Sequence, residues 1–216
     1  MNLILFGPPG AGKGTQADII VKKFNLYKIS TGDLLREEIK KKTDLGNKIK
    51  SMIDKGILVS DKIINDLMIK ILSDNKFYNR LIFDGYPRNI NQTKNLDLLL
   101  KKYDQKISCV LCLNVEKATI IKRILGRLIC SNCGLIFNEY FKPATNKNHT
   151  CGTKSLVKRS DDNDKAILYR FQTYMDKTLP ILDYYKKLNL LHEIDGKAKI
   201  DQIFEKIRHI IASLEA

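Results

Sequence analysis

Asn2-Leu-Ile-Leu-Phe6 runs directly into Gly7-Pro-Pro-Gly-Ala-Gly-Lys-Gly-Thr15, a short apolar stretch feeding a glycine-rich loop that carries a lysine. Gly7, Gly12 and Lys13 fit the spacing G-x-x-x-x-G-K. In that motif successive backbone N–H groups wrap phosphate oxygens and the lysine ammonium reaches the terminal ones. Gly14 stands where the motif usually has a Mg²⁺-binding Ser or Thr, and Thr15 offers a hydroxyl one residue later. Beyond the loop, Ala17, Ile20, Val21 and Phe24 recur at i, i+3, i+4 and i+7, which predicts a helix lying on a sheet. Its N-terminus would aim free N–H groups and the positive dipole end at a bound phosphate. Strand, loop and helix in this order, with the lysine, separate a phosphate cradle from an ordinary βα turn.

Working outward, four further apolar runs read as buried strands: Tyr27 to Ile29, Leu81 to Asp84, Ser108 to Leu113 and Leu190 to Ile194. With helical patterns between them they predict an α/β fold, a five-stranded parallel sheet covered by helices on both faces. Ligands of such sheets bind at the carboxyl ends of the strands, and Asp33, Asp84 and the glycine loop all fall there. Ile203, Phe204, Ile207, Ile210 and Ile211 predict a C-terminal helix packed on the core. Two stretches break the alternation and read as insertions: polar, helical residues 30–59 and loop-rich residues 126–162.

The 216 residues suit one α/β domain with inserted pieces, and 44% hydrophobic content is ordinary for a globular chain. No run approaches the roughly 20 apolar residues of a membrane span. The first apolar run ends in the glycine loop rather than a cleavage site, so a cytoplasmic, membrane-free protein is expected. Five cysteines are an odd number for a disulfide framework and point to metal binding instead. The net charge of +14 permits nucleic-acid binding, yet the lysines are scattered along helical stretches without interleaved aromatics. A positive field that steers small anions to a cleft is the expectation.

Cys130-Ser-Asn-Cys133-Gly134 has the spacing and trailing glycine of a zinc knuckle, whose tight turn lets two thiolates face one ion. His149-Thr-Cys151-Gly152 would supply the second half as a Cys3His site, although a second C-x-x-C would need cysteine at Asn148. A closed four-ligand site would be structural. Cys109 and Cys112 share the spacing but fall inside a predicted strand. Positions three apart there face opposite ways, so these two read as core residues.

Several motifs in order resemble the adenylate kinase family of nucleoside monophosphate kinases. They are the loop from Gly7 to Thr15, Ile29-Ser-Thr-Gly-Asp-Leu-Leu-Arg36, Phe83-Asp-Gly-Tyr-Pro-Arg88 with Gln92, Arg123-Ile-Leu-Gly-Arg127, Arg159-Ser-Asp-Asp162 and Arg170. The resemblance implies a core of residues 1–29, 60–125 and 163–216, an AMP-binding arm at 30–59 and a lid at 126–162. It also implies reversible, Mg²⁺-dependent phosphoryl transfer from ATP to AMP giving two ADP, by a monomer. Gly10, Ala11, Gly12, Lys13, Gly14 and Thr15 would hold ATP phosphates, Arg127 would lie against the adenine, and Ile136, Phe137 and the backbone at Ala198 would be further ATP contacts. Arg36 and Arg88 would take the AMP phosphate, while Arg123, Arg159 and Arg170 close on the transferring group. If the helix of Arg123 continues, Arg127 shares its face. Thr31, Ile57, Leu58, Val59, Gly85, Tyr86, Pro87 and Gln92 would line the AMP pocket, Thr31 and Gln92 being the family's AMP set. Asp33 and Asp84 would hold Mg²⁺ through water, Asp33 also serving as partner to a Ser30 helix cap. Asp161 and Asp162 would pair with arginines at the lid hinge.

This set makes chemical sense, because phosphoryl transfer between two polyanions needs positioning and cations rather than a protein nucleophile. Arginine forks hold phosphate oxygens bidentately and keep their charge. Two other readings stand beside it: a kinase for another monophosphate such as UMP or CMP, and a nucleotide-switched zinc-ribbon protein acting on nucleic acid.

Overall fold

A computed structural model describes residues 1–55 and 57–215. Gly56, at the end of the expected arm, lies outside the described residues. The strands of the main sheet are β1 (Asn2–Phe6), β2 (Tyr27–Ser30), β3 (Leu81–Asp84), β4 (Ile107–Asn114) and β8 (Leu191–Asp195). They run in the order β2-β3-β1-β4-β8 with every pair parallel, as the alternating pattern predicts. The register Leu5↔Asp84 and Ser30↔Asp84 sets the ends of β1, β2 and β3 side by side on one rim.

Side-chain alternation divides the core in two. Leu3, Leu5, Cys109 and Leu111 face α1 (Lys13–Phe24) and α9 (Ile200–Glu215), meeting Ala17, Ile20, Ile207 and Ile211. Ile4, Phe6, Val110 and Cys112 face α4 (Asp61–Leu72), α5 (Ile90–Lys102) and α8 (Leu179–Lys187), meeting Met68, Leu96, Ile181 and Tyr185. Cys109 and Cys112 thus lie on opposite faces of β4, both buried, as expected for core thiols. Burial alone pushes Cys109 up to about 12, and chiefly burial pushes Cys112 up to about 11.

Between β2 and α4, the first insertion folds as α2 (Thr31–Lys40) and α3 (Asp44–Asp54), capped by Ser30 and Thr43 side chains. The second follows α6 (Lys117–Leu125) and contains more order than its loop-like sequence suggests. Strands β5 (Arg127–Cys130), β6 (Ile136–Asn138) and β7 (Leu156–Val157) form an antiparallel sheet ordered β6-β5-β7. The chain then re-enters the core through α7 (Asp164–Thr173) and a π-helical turn at Tyr174–Thr178. Among the described residues no helix is long and apolar enough to cross a membrane.

Candidate active site

The loop between β1 and α1 bends sharply because Gly7, Gly10 and Gly12 adopt positive φ. At Gly10 glycine is required twice over, since φ is +79° and an added Cβ would lie 2.7 Å from Ile124 Cγ1 on α6. α1 has no side-chain cap and no acid in its first turn, which leaves its leading N–H groups open to an anion. The Lys13 ammonium is held in the loop, donating to the carbonyls of Gly7 (2.7 Å) and Pro8 (3.0 Å). Burial lowers it to about 8, against the counter-pull of nearby Asp84. Burial raises Asp84 in turn, with Lys13 opposing. A Cβ placed on Gly14 would stand 3.5 Å from Asp84 Oδ2, so the missing P-loop hydroxyl sits against this carboxylate.

Around this loop opens a cavity of about 250 Å³, bounded by Gly10 through Gln16 on one side and by Arg127, Ile136, Phe137 and Ala198 across from them. Among the described residues nine cations line it, namely Lys13, Lys28, Arg36, Arg88, Arg123, Arg127, Lys142, Arg159 and Arg170, against the carboxylates of Asp33 and Asp84 alone. Burial and mutual repulsion lower Arg88 and Arg159 to about 10, still charged at neutral pH. Arg159 Nε is buried without a hydrogen-bond partner among the described residues. An orphaned cationic donor in such a cluster calls for an anion. Other members are held in place: Arg88 Nε on the Gly85 carbonyl (2.7 Å), and Arg123 on the carbonyls of Ala11 (3.2 Å) and Gly196 (2.9 Å).

Asp161 and Asp162 both stand in ion pairs with arginines. Asp161 accepts from Arg170 at 2.8 Å, and Asp162 receives the Arg127 fork. Helical continuation from Arg123 to Arg127 does not occur, because α6 ends at Leu125 and Arg127 opens β5. Gly126 forms the C-cap, where a Cβ would meet the Tyr140 ring at 2.6 Å. Asp33 both faces the Ser30 cap, whose hydroxyl accepts from its N–H (3.3 Å), and pairs with Arg36 at 2.6 Å.

A smaller cavity of about 80 Å³ adjoins, lined by Leu58, Gly85, Pro87, Arg88, Arg170 and Lys13. Thr31, Val59, Tyr86 and Gln92 are buried behind these walls and line neither cavity, while Ile57 is exposed. Thr31 Oγ1 donates to the Gly85 carbonyl at 3.1 Å, tying the first turn of α2 to the end of β3. Phe141 and Lys142 also line the large cavity and no motif signalled them. The Arg123 guanidinium lies 5.3 Å from the Phe141 ring centroid.

Cys130 at the end of β5 meets Cys133, His149 and Cys151 from the adjoining loops, their ligand atoms all within 4.8 Å of one another. Thiolates sharing a tetrahedral zinc would stand about 3.8 Å apart given Zn–S near 2.3 Å, so the donor set fits that ion. The local turn is a knuckle: the Cys133 amide donates to Cys130 Sγ (3.4 Å), and Gly134, at φ +72°, donates its N–H to the Cys130 carbonyl. Burial alone would raise the Cys130 thiol. The Cys133 amide, Ser155 and His149 override it and bring the thiol down to about 5. His149 Nε2 is buried without a hydrogen-bond partner among the described residues, its ring 4.8 Å from that of Phe137. Asn148 instead braces the loop through the Thr145 amide and the Pro143 carbonyl.

A glycine-loop lysine at a parallel-sheet rim, inside a cavity lined with arginines, defines the class: an α/β P-loop kinase fold. A family profile described as "Adenylate kinase" matches residues 5–190. Curated relatives named "Adenylate kinase" include one from Pelagibacter ubique, 50% identical over 98% of this chain and 99% of the relative. Another, from Methanocella arvoryzae, is 42% identical over 99% and 100%. A third, from Clostridioides difficile, is 40% identical over 96% of each chain. The chain belongs to the adenylate kinase family.

Proposed function

We propose that this protein transfers the γ-phosphoryl group of ATP reversibly to AMP, giving two ADP, with Mg²⁺ bound to the nucleotide. The observation that carries the reading is the single cavity in which nine cations face two carboxylates around the P-loop. Two polyanions must be brought into line there, and the attacking oxygen is already ionised, so no general base is needed. In this reading Gly10 to Thr15 and Lys13 hold the ATP phosphates, and Arg127, Ile136, Phe137 and Ala198 sit toward its base. Arg36 and Arg88 hold the AMP phosphate. Arg123, Arg159 and Arg170 surround the group in flight. The AMP base lies among Thr31, Ile57, Leu58, Val59, Gly85, Tyr86, Pro87 and Gln92, several of them now packed behind the wall.

Asp84 and Asp33 would hold Mg²⁺ through water, and the ion would neutralise phosphate oxygen charge. Residues 30–59 act as an arm and 126–162 as a lid, whose closure on Asp161 and Asp162 expels water. Zinc at Cys130, Cys133, Cys151 and His149 stiffens the lid without touching substrate. The protein works as a cytoplasmic monomer on small nucleotides.

A coupled assay for ADP, run with ATP and a panel of AMP, UMP and CMP, tests this directly. AMP should be preferred. Folded Lys13→Met and Arg88→Ala variants should lose on the order of 10³-fold in rate, and full activity in either would overturn the site.

A further inference from the structure

Asp61 opens α4, at the exit of the arm, and no motif marks it. Its carboxylate nevertheless accepts from Gln92 Nε2 at 2.7 Å, 31 residues away, and from Asn89 Nδ2 at 3.1 Å. The opposite end of the same amide, Gln92 Oε1, accepts from the Arg88 backbone N–H at 2.7 Å. Asn89 caps α5 by accepting from the Gln92 N–H at 2.8 Å, which fixes where the glutamine starts. A carboxylate can only accept and a backbone N–H can only donate. Together they permit one orientation of an amide whose two ends are otherwise nearly alike. We infer that Asp61 is a positioning residue that locks the Gln92 amide and thereby makes the acceptor site select adenine over 6-oxopurines.

The inference rests on Gln92 facing the base of the acceptor nucleotide, as proposed above. Each end of the locked amide keeps one further valence, an N–H on Nε2 and a lone pair on Oε1. Adenine presents a complementary edge, N1 accepting and the 6-amino group donating. Hypoxanthine presents the reverse, with N1–H donating and O6 accepting. An amide free to turn serves both, whereas a locked one leaves the 6-oxopurine with two mismatched, buried polar pairs.

The test compares AMP with IMP as acceptor at fixed ATP, for the full chain and its Asp61→Ala and Asp61→Asn variants. Asp61→Ala should raise KM for AMP and lower the AMP/IMP ratio of kcat/KM by about tenfold, the scale of one charge-assisted hydrogen bond. Its kcat at saturating AMP and its KM for ATP should stay unchanged. Asp61→Asn keeps an oxygen acceptor for Nε2 and should restore most of the discrimination. Were Asp61 present only as a negative charge at a helix N-terminus, both variants would lose thermal stability alike and neither would move the ratio. An unchanged AMP/IMP ratio in Asp61→Ala, with Gln92→Ala losing it, overturns the lock alone. An unchanged ratio and AMP KM in Gln92→Ala overturns the placement of Gln92 beneath it.

Discussion

Lys13 shows how one residue's burial becomes a measurable property. In the ligand-free protein its ammonium sheds its proton near pH 8 rather than 10.5, because the loop strips away water. A bound polyphosphate favours the charged form and returns the pKa upward. Between those two values binding must therefore take up a proton, and ATP affinity falls as pH rises through about 8. Calorimetry in buffers of different ionisation heat should find this uptake above pH 8 and lose it in Lys13→Met; its absence in the parent protein would refute the account. Gly10 offers a stability counterpart. Gly10→Ala adds a methyl against Ile124 and forces a positive φ, so a loss of about 1–3 kcal/mol is expected in chemical denaturation.

At the scale of elements, the knuckle and its strands stand or fall together. β5, β6 and β7 are only two to four residues long, too short to hold a sheet by pairing alone. Metal analysis should find a single zinc per chain, and chelation or Cys151→Ser should melt this sheet below the main transition. Protein with no zinc and an unchanged melting profile would remove the assignment. The same shortness explains what the sequence withheld. β1 with its loop, and the strands β3 and β4, were legible because motif and apolar run coincide locally. The strands of the small sheet, two to four residues long, offer no such coincidence, and their partners lie across loops. The helix of Arg123 looked able to continue because its pattern says nothing about the Tyr140 ring that stacks where Gly126 must remain bare. Phe141 and Asp61 were invisible for a related reason, since each matters through a contact far along the chain.

For the whole molecule, a net charge of +14, with nine cations against two carboxylates at the cavity, makes association electrostatically steered. Association rates for ATP should fall with ionic strength, while those for uncharged adenosine hold steady; equal salt dependence would show that the field plays no part. The thiols form a second global pattern. Cys133 is exposed and Cys151 half-exposed at the knuckle, whereas Cys109 and Cys112 back onto opposite faces of one central strand, at about 12 and about 11. An alkylating reagent therefore meets two populations on two clocks. If zinc occupies the knuckle, adducts on Cys133 and Cys151 count departures of the metal, and adducts on β4 count complete losses of the fold, so one mass spectrum taken over time ages both events in the same tube.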